Sequence, residues 1–214
     1  MAMSESEKYF RYLVDEIHTT IMATIDETGL PVTAAIDMMD TDGESLYFLT
    51  AKGKSLYDRL LSKPFVSLTA LKGEDTMSSK ALTIRGSVRE LGHELIPELF
   101  EKNPYMKNIY PTEESMRALT AFQIYKGSGE WFDLSKRPIE RAAFDFGTDG
   151  DDETGLRKEG YVINDKCIGC GSCVAVCPQN CISTDSIPFD IHASHCLHCG
   201  NCMNACPAGA VDRR

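Results

Sequence analysis

Cysteine is confined to one end of this chain. All nine cysteines among the 214 residues lie between Cys167 and Cys206, and eight of them fall in two runs of the form C-x2-C-x2-C-x3-C-P. YVINDKCIGCGSCVAVCPQNCI supplies Cys167, Cys170, Cys173 and Cys177, and FDIHASHCLHCGNCMNACPAGAV supplies Cys196, Cys199, Cys202 and Cys206, each 29 residues further on. The stretch is too short for a sizeable apolar core, so it needs a metal staple to fold. Three closely spaced thiolates on a tight loop can cap three irons of a cubane. The fourth is carried away on the following turn, crosses to a second cubane, and is followed by the proline that ends the turn. The spacing therefore gives Cys167, Cys170, Cys173 and Cys206 to one [4Fe-4S] cluster, and Cys196, Cys199, Cys202 and Cys177 to the other. A zinc ribbon uses two separated C-x2-C pairs rather than two triplets each followed by Cys-Pro. A haem attachment wants C-x-x-C-H, and both runs read C-x-x-C-G.

The ninth cysteine, Cys181, aligns with Ala210 under the repeat, which is the place of a small buried hydrophobe rather than a ligand. His198, inside C-L-H-C, is expected on the loop surface, since four thiolates already satisfy the cluster. A disulfide scaffold does not suit a reducing compartment. The start, MAMSESEKYF, is polar and has no hydrophobic core like that of a secretory signal, so a cytoplasmic location is expected. The longest apolar runs are strand-sized, so no membrane crossing is expected. A net charge of −10 speaks against nucleic acid as a partner.

The first 145 residues carry no cysteine and read as strands with a few helices. SESEKYFRYLVDEIH (4–18) has a serine cap and helix-spaced apolar residues. TIMATID (20–26) and PVTAAIDM (31–38) flank the turn ETGL and predict a hairpin. SLYFLT (45–50) leads through AKGKS into a short helix, SLYDRLLS. FVSLTAL (65–71) and ALTIRGSVREL (81–91) are further strands, with Gly86 marking a bend of the kind barrels use. Helices are expected at HELIPELFEK and EESMRALTA, and TAFQIYKGSGEWFDLS is read as strands returning through a glycine turn. The pattern favours a small barrel over alternating βαβ units, so the fold class is α+β. An acidic linker at 146–157 then separates residues 1–145 from a cysteine domain at 158–214.

At the end of SLYFLT, Thr50 is followed by Lys52, Lys54 and Ser55, where a helix begins. Two ammonium groups, a hydroxyl and a helix N-terminus can cradle a phosphate, and a solvated turn with ordinary lysines is the plainer reading. His18 and His93 lie in or beside helices and read as structural.

Residues 158–214 resemble bacterial-type two-cluster ferredoxins, which implies a low-potential one-electron carrier, oxygen-labile and suited to an anaerobe. Residues 6–135, through the order of their elements and the strings "KPFVSLTAL" and "IRGSVREL", resemble the pyridoxamine 5'-phosphate oxidase-like split barrel that binds FMN. The resemblance implies that Thr50, Lys52, Lys54 and Ser55 hold the FMN phosphate. It also implies that Thr33, Ala34 and Ala35 face the isoalloxazine, with Ser67 and Thr69 nearby. It further implies a homodimer in which a second chain brings Trp131 to the site, core packing being the competing reading for that residue. Two departures stand out. The run TAAI occupies the place of the oxidases' strand arginine, and WFDLSKRPIERAAF lacks their arginine–histidine signature, so vitamin B6 oxidation is not expected. The expected function is an iron–sulfur flavoprotein oxidoreductase passing electrons between the clusters, FMN and a redox partner protein. The alternatives are an electron carrier without a substrate of its own, or a barrel holding haem or a deazaflavin.

Overall fold

Alternating apolar and polar side chains build the N-terminal part as strands that close on themselves. In the computed structural model, which describes residues 3–147 and 159–214, these strands are β1 (Thr19–Ile25), β2 (Pro31–Thr41), β3 (Leu46–Ala51), β4 (Phe65–Lys72), β5 (Lys80–Gly92), β6 (Leu119–Asp133) and β7 (Glu140–Phe146). They hydrogen-bond in the order β3-β2-β1-β4-β5-β6-β7, and β3 also pairs with β6, which closes the first six into a barrel. Closure sets Phe48 opposite Phe122, Leu46 opposite Ile124 and Thr50 opposite Thr120. The rings of Phe48 and Phe122 stack at 5.5 Å. Both are fully buried beside Met22, Met38, Leu68, Leu82 and Ile84, and each such side chain stabilises by about 1.5–3 kcal/mol.

The helix expected at the start is shorter than its pattern. Ser4 accepts from the Glu7 N–H at 3.1 Å and caps α1 (Glu5–Tyr12), after which Leu13–Ile17 widen into a π-type turn ending at His18. Helix α2 (Ser55–Ser62) forms as the sequence predicts. A bulge between Met38 and Asp40 sends Met39 out of the barrel, into a satellite core with α3 (Ile96–Lys102). Asn103 ends that helix by donating to Leu99 O and Met39 O, at 2.9 and 2.8 Å.

Two expectations are corrected. The helix EESMRALTA stops as α4 (Glu113–Met116). Ala118 O accepts from the Lys52 N–H at 2.8 Å and Leu119 pairs with Ala51, so closure of the barrel overrides helix propensity there. Nor does the chain turn at GSG, because β6 runs unbroken through Gly127 and Gly129. Those glycines, with Gly86, permit a close approach: a Cβ on Gly127 would overlap Arg85 O and lie 2.7 Å from Gly86 Cα, and one on Gly129 would overlap the Phe144 ring. Phe144 and Phe146 of β7, which the sequence did not announce as a strand, pack on Tyr9 and Phe10 of α1.

The described residues fall into two units. One comprises 3–72, 81–130 and 144–147; the other adds 73–80 and 131–143 to 159–214. Most of the acidic linker expected at 146–157 lies outside the described residues. In the second unit, β8 (Tyr161–Ile163) pairs with β11 (Val211–Arg213), and β9 (Ile182–Ser183) pairs with β10 (Asp190–Ile191), all antiparallel. Two short helices, α5 (Ser172–Ala175) and α6 (Asn201–Ala205), follow the cysteine loops.

Gly127→Ala should destabilise the barrel by about 3 kcal/mol through backbone overlap, whereas Gly53→Ala, with nothing within 4 Å of the added Cβ, should be close to neutral. Thermal unfolding of the two variants against the parent checks this.

Candidate functional site

The cysteine repeat is also a repeat in backbone. Gly171 and Gly200 adopt φ 77° and 79° with ψ −2° in both, each immediately before a short helix. Gly169 at φ 69° matches His198 at φ 57°, and Asn180 at φ 49° matches Gly209 at φ 57°. Each pair is 29 residues apart, the spacing of the cysteines. A hydrogen bond repeats as well: the Cys181 N–H donates to Cys177 Sγ at 3.4 Å, and the Ala210 N–H donates to Cys206 Sγ at 3.3 Å. Cys181 thus holds the position that Ala210 holds in the other half.

Cys177, Cys196, Cys199 and Cys202 line a single, partly open cavity, together with Cys181, Pro178, Gln179, Ile182, Ile191 and Leu197. Cys173, Cys196 and Cys202 are buried, Cys170 and Cys199 are exposed, and Cys167, Cys177 and Cys206 lie between. Exposure therefore follows the repeat except at its first position. Among the described residues, no three His, Cys, Asp or Glu side chains converge as a single metal ion would require.

The surroundings divide these thiols. Burial pushes Cys173 and Cys202 up. Burial also acts on Cys177, but the backbone N–H groups of Cys181, Gln179 and Asn180 outweigh it and lower the thiol. The Ser172 hydroxyl and N–H lower Cys170. Cys181, 3.5 Å from Cys177 Sγ, is driven far up by burial and by that neighbour, so it stays a neutral thiol beside the would-be ligands. A cavity lined by several thiols suits a thiophilic metal such as iron.

The rim of this cavity is fastened to the segment that enters the unit from β6 and β7. Gln179 Oε1 accepts from the Ile139 N–H at 3.2 Å, and His195 Nδ1 lies 2.8 Å from Ile139 O. Ile139 itself is buried. Sequence reasoning missed both contacts, whose partners are 40 and 56 residues apart. Trp131 is 6 % exposed and lies in the same unit.

In the barrel unit, the outer face of β2 shows Thr33 and Ala35 to solvent, while Ala34 is half-buried on the other side. Across the sheet, Ala35 is opposite Ile21 and Ile21 opposite Thr69; Thr33 is opposite Ala23 and Ala23 opposite Ser67. Ile21 is 54 % exposed, so this face mixes small side chains, hydroxyls and an exposed isoleucine. Lys52, Lys54 and Ser55 are exposed together where α2 begins. Lys54 is the N-cap, and no side chain bonds to the first turn. Arg59 of α2 donates to Thr24 Oγ1 at 2.7 Å, which ties the helix to β1. Thr50 stands apart from this group: it faces the barrel interior with Leu46 and Phe48, is 2 % exposed, and its Oγ1 has no hydrogen-bond partner among the described residues.

An uncapped helix start with two lysines and a serine hydroxyl suits an anionic group such as a phosphate. Among the described residues, no helix is long and apolar enough to cross a membrane.

Residues 166–210 match the 4Fe-4S dicluster domain, and residues 6–134 match the pyridoxamine 5'-phosphate oxidase family. No curated protein matches the chain. A NimC/NimA family protein from Clostridium acetobutylicum is similar in structure, with a TM-score of 0.54 at 18 % identity over 66 % of this chain and 93 % of that one. A protein from the same organism, related to general stress protein 26 of B. subtilis (pyridoxinephosphate oxidase family), aligns with a TM-score of 0.52 at 19 % identity, over 65 % of this chain and 95 % of that one. A heme binding protein from Mycobacterium smegmatis aligns at 0.52 and 10 % identity, over 68 % and 60 %. At these identities the likeness is one of fold. The family match spans well over half of the sequence, and the chain belongs to the pyridoxamine 5'-phosphate oxidase family, its split barrel followed by a 4Fe-4S dicluster domain.

Proposed function

We propose that the protein is an iron–sulfur flavoprotein oxidoreductase that passes electrons between two [4Fe-4S] clusters, FMN on the barrel, and a redox partner protein. The observation that carries this reading is the cavity lined by Cys177, Cys196, Cys199 and Cys202. It gathers three cysteines of the second run and the fourth of the first, the crossed set that a two-cluster domain needs. Repetition of the backbone at 29 residues supports the complementary set of Cys167, Cys170, Cys173 and Cys206 for the other cluster.

For FMN, Lys52, Lys54 and Ser55 at the start of α2 would hold the phosphate, and Thr33, Ala35 and Ser67 would lie under the ring. The interior position of Thr50 favours a role in the barrel wall. Bound there, FMN would convert between one-electron and two-electron transfer. The exposed Ile21, Ile25 and Leu71 on the same sheet face offer a second copy of the chain an apolar surface, and we take the working form to be a homodimer in the cytoplasm of an anaerobe. The heme binding neighbour makes haem the competing barrel ligand.

Protein purified without oxygen should carry about eight irons and one FMN per chain. Eight irons with no flavin after reconstitution would leave an electron carrier without a substrate of its own, and a Soret band would point to haem. Replacing Lys52 and Lys54 with alanine should weaken FMN binding about tenfold or more, as measured by flavin fluorescence; unchanged binding would place the phosphate elsewhere. Cys181→Ala should keep all the iron, whereas Cys177→Ala should lose about half of it, as read by iron and sulfide analysis.

A further inference from the structure

His18 holds a backbone conformation that its own side chain does not favour. It ends the π-type turn at φ 68° and ψ −61°, a sparsely populated region that persists only where the surroundings over-determine it and that recurs at functional sites. Its N–H donates to Leu13 O at 2.6 Å, and its carbonyl accepts from the Met38 N–H at 2.9 Å. So held, the ring places Nε2 2.7 Å from the Tyr105 hydroxyl and Nδ1 3.4 Å from Val14 O. Tyr105 in turn donates to Asp37 Oδ2 at 2.8 Å, and Thr19 donates to Asp37 Oδ1 at 2.7 Å. The His18 and Asp37 side chains are 30 % and 32 % exposed, so the cluster reaches solvent.

Asp37 shares the outer face of β2 with Thr33 and Ala35, because residues two apart on a strand point the same way. One such step is about 7 Å. A planar group lying over Thr33 and Ala35 therefore has Asp37 at its rim, with Tyr105 and His18 behind it.

The hydrogen-bond inventory orders these groups. A carboxylate only accepts, and a phenol has one proton. With Tyr105 donating to Asp37, its oxygen accepts from His18 Nε2–H. Nδ1 faces a carbonyl, which also wants a donor, so the protonated ring satisfies both of its neighbours. We propose that His18, acting through Tyr105, supplies the proton for a flat carbonyl acceptor of the quinone class that stacks on the solvent side of a flavin held over the outer face of β2, with Asp37 as a positioning residue. The inference rests on the flavin reading above. In the step, the acceptor gains two electrons and one proton as a hydride equivalent from the reduced flavin. Its second oxygen takes the Tyr105 hydroxyl proton, for which it displaces Asp37 as hydrogen-bond partner. The Nε2 proton of His18 then passes to the Tyr105 oxygen, leaving a neutral imidazole that a proton from solvent returns to its starting state.

The test uses full-length, FMN-loaded holoprotein reduced stoichiometrically and mixed in single turnover with menadione, which takes up protons, or with ferricyanide, which does not. Tyr105→Phe and His18→Gln should each slow menadione reduction at least tenfold and abolish its solvent deuterium effect, while the ferricyanide rate stays within twofold. Menadione added to the oxidised protein should also shift the ring resonances of His18 and Tyr105 and leave those of His93 in place. Unchanged menadione rates in both variants would overturn the proposal. So would equal losses with the two acceptors, or resonances that do not move. Failure of the parent protein to bind FMN would instead sink the flavin reading, a distinguishable result.

Discussion

Cys173, Cys196 and Cys202 are buried among Ile163, Ile182, Ile191 and Val211, so in the second unit the side chains proposed to hold iron are also the ones that fill its interior. A domain this small buries too little apolar surface to offset its chain entropy unaided. Metal binding and folding are then one equilibrium. A left-handed glycine and a short helix accompany each run of thiols, and the strand pairs join the two runs. The Cys177 cavity is lined by cysteines of both runs.

Closure plays the corresponding part in the barrel. Pairing of β3 with β6 uses both faces of β3: Leu46, Phe48 and Thr50 go inward, while Tyr47, Leu49 and Ala51 pack on the satellite core around α3. With β3 covered on both sides, β1, β2 and β4 show a face to solvent on which small residues lie beside exposed isoleucines.

Much of this was legible in the sequence, for reasons that can be named. The cysteine repeat is local and its chemistry admits few alternatives. The β1–β2 hairpin and α2 carry their own turn and period signals, and both formed near their expected bounds. Reasoning failed where distant partners decide. EESMRALTA reads as helix until Ala51 and Lys52 recruit its end into a sheet. GSG reads as a turn unless Gly86 is known to lie against it. The cluster of His18, Asp37 and Tyr105 joins residues up to 87 apart, and no window of sequence contains it. For the same reason Thr50 read as part of a phosphate cradle, although its side chain faces the barrel interior.

The strand pairs of the second unit bind its two halves together. β8 and β9 belong to the first half of the repeat, β10 and β11 to the second, and each pair joins one strand from each half. Cys177 likewise lines a cavity with Cys196, Cys199 and Cys202 of the other half. A single half would therefore have no partner for either strand and would leave its fourth cysteine without companions. Neither half is complete without the other, although they differ at single positions, with His198 where its twin keeps Gly169 and Cys181 where its twin keeps Ala210.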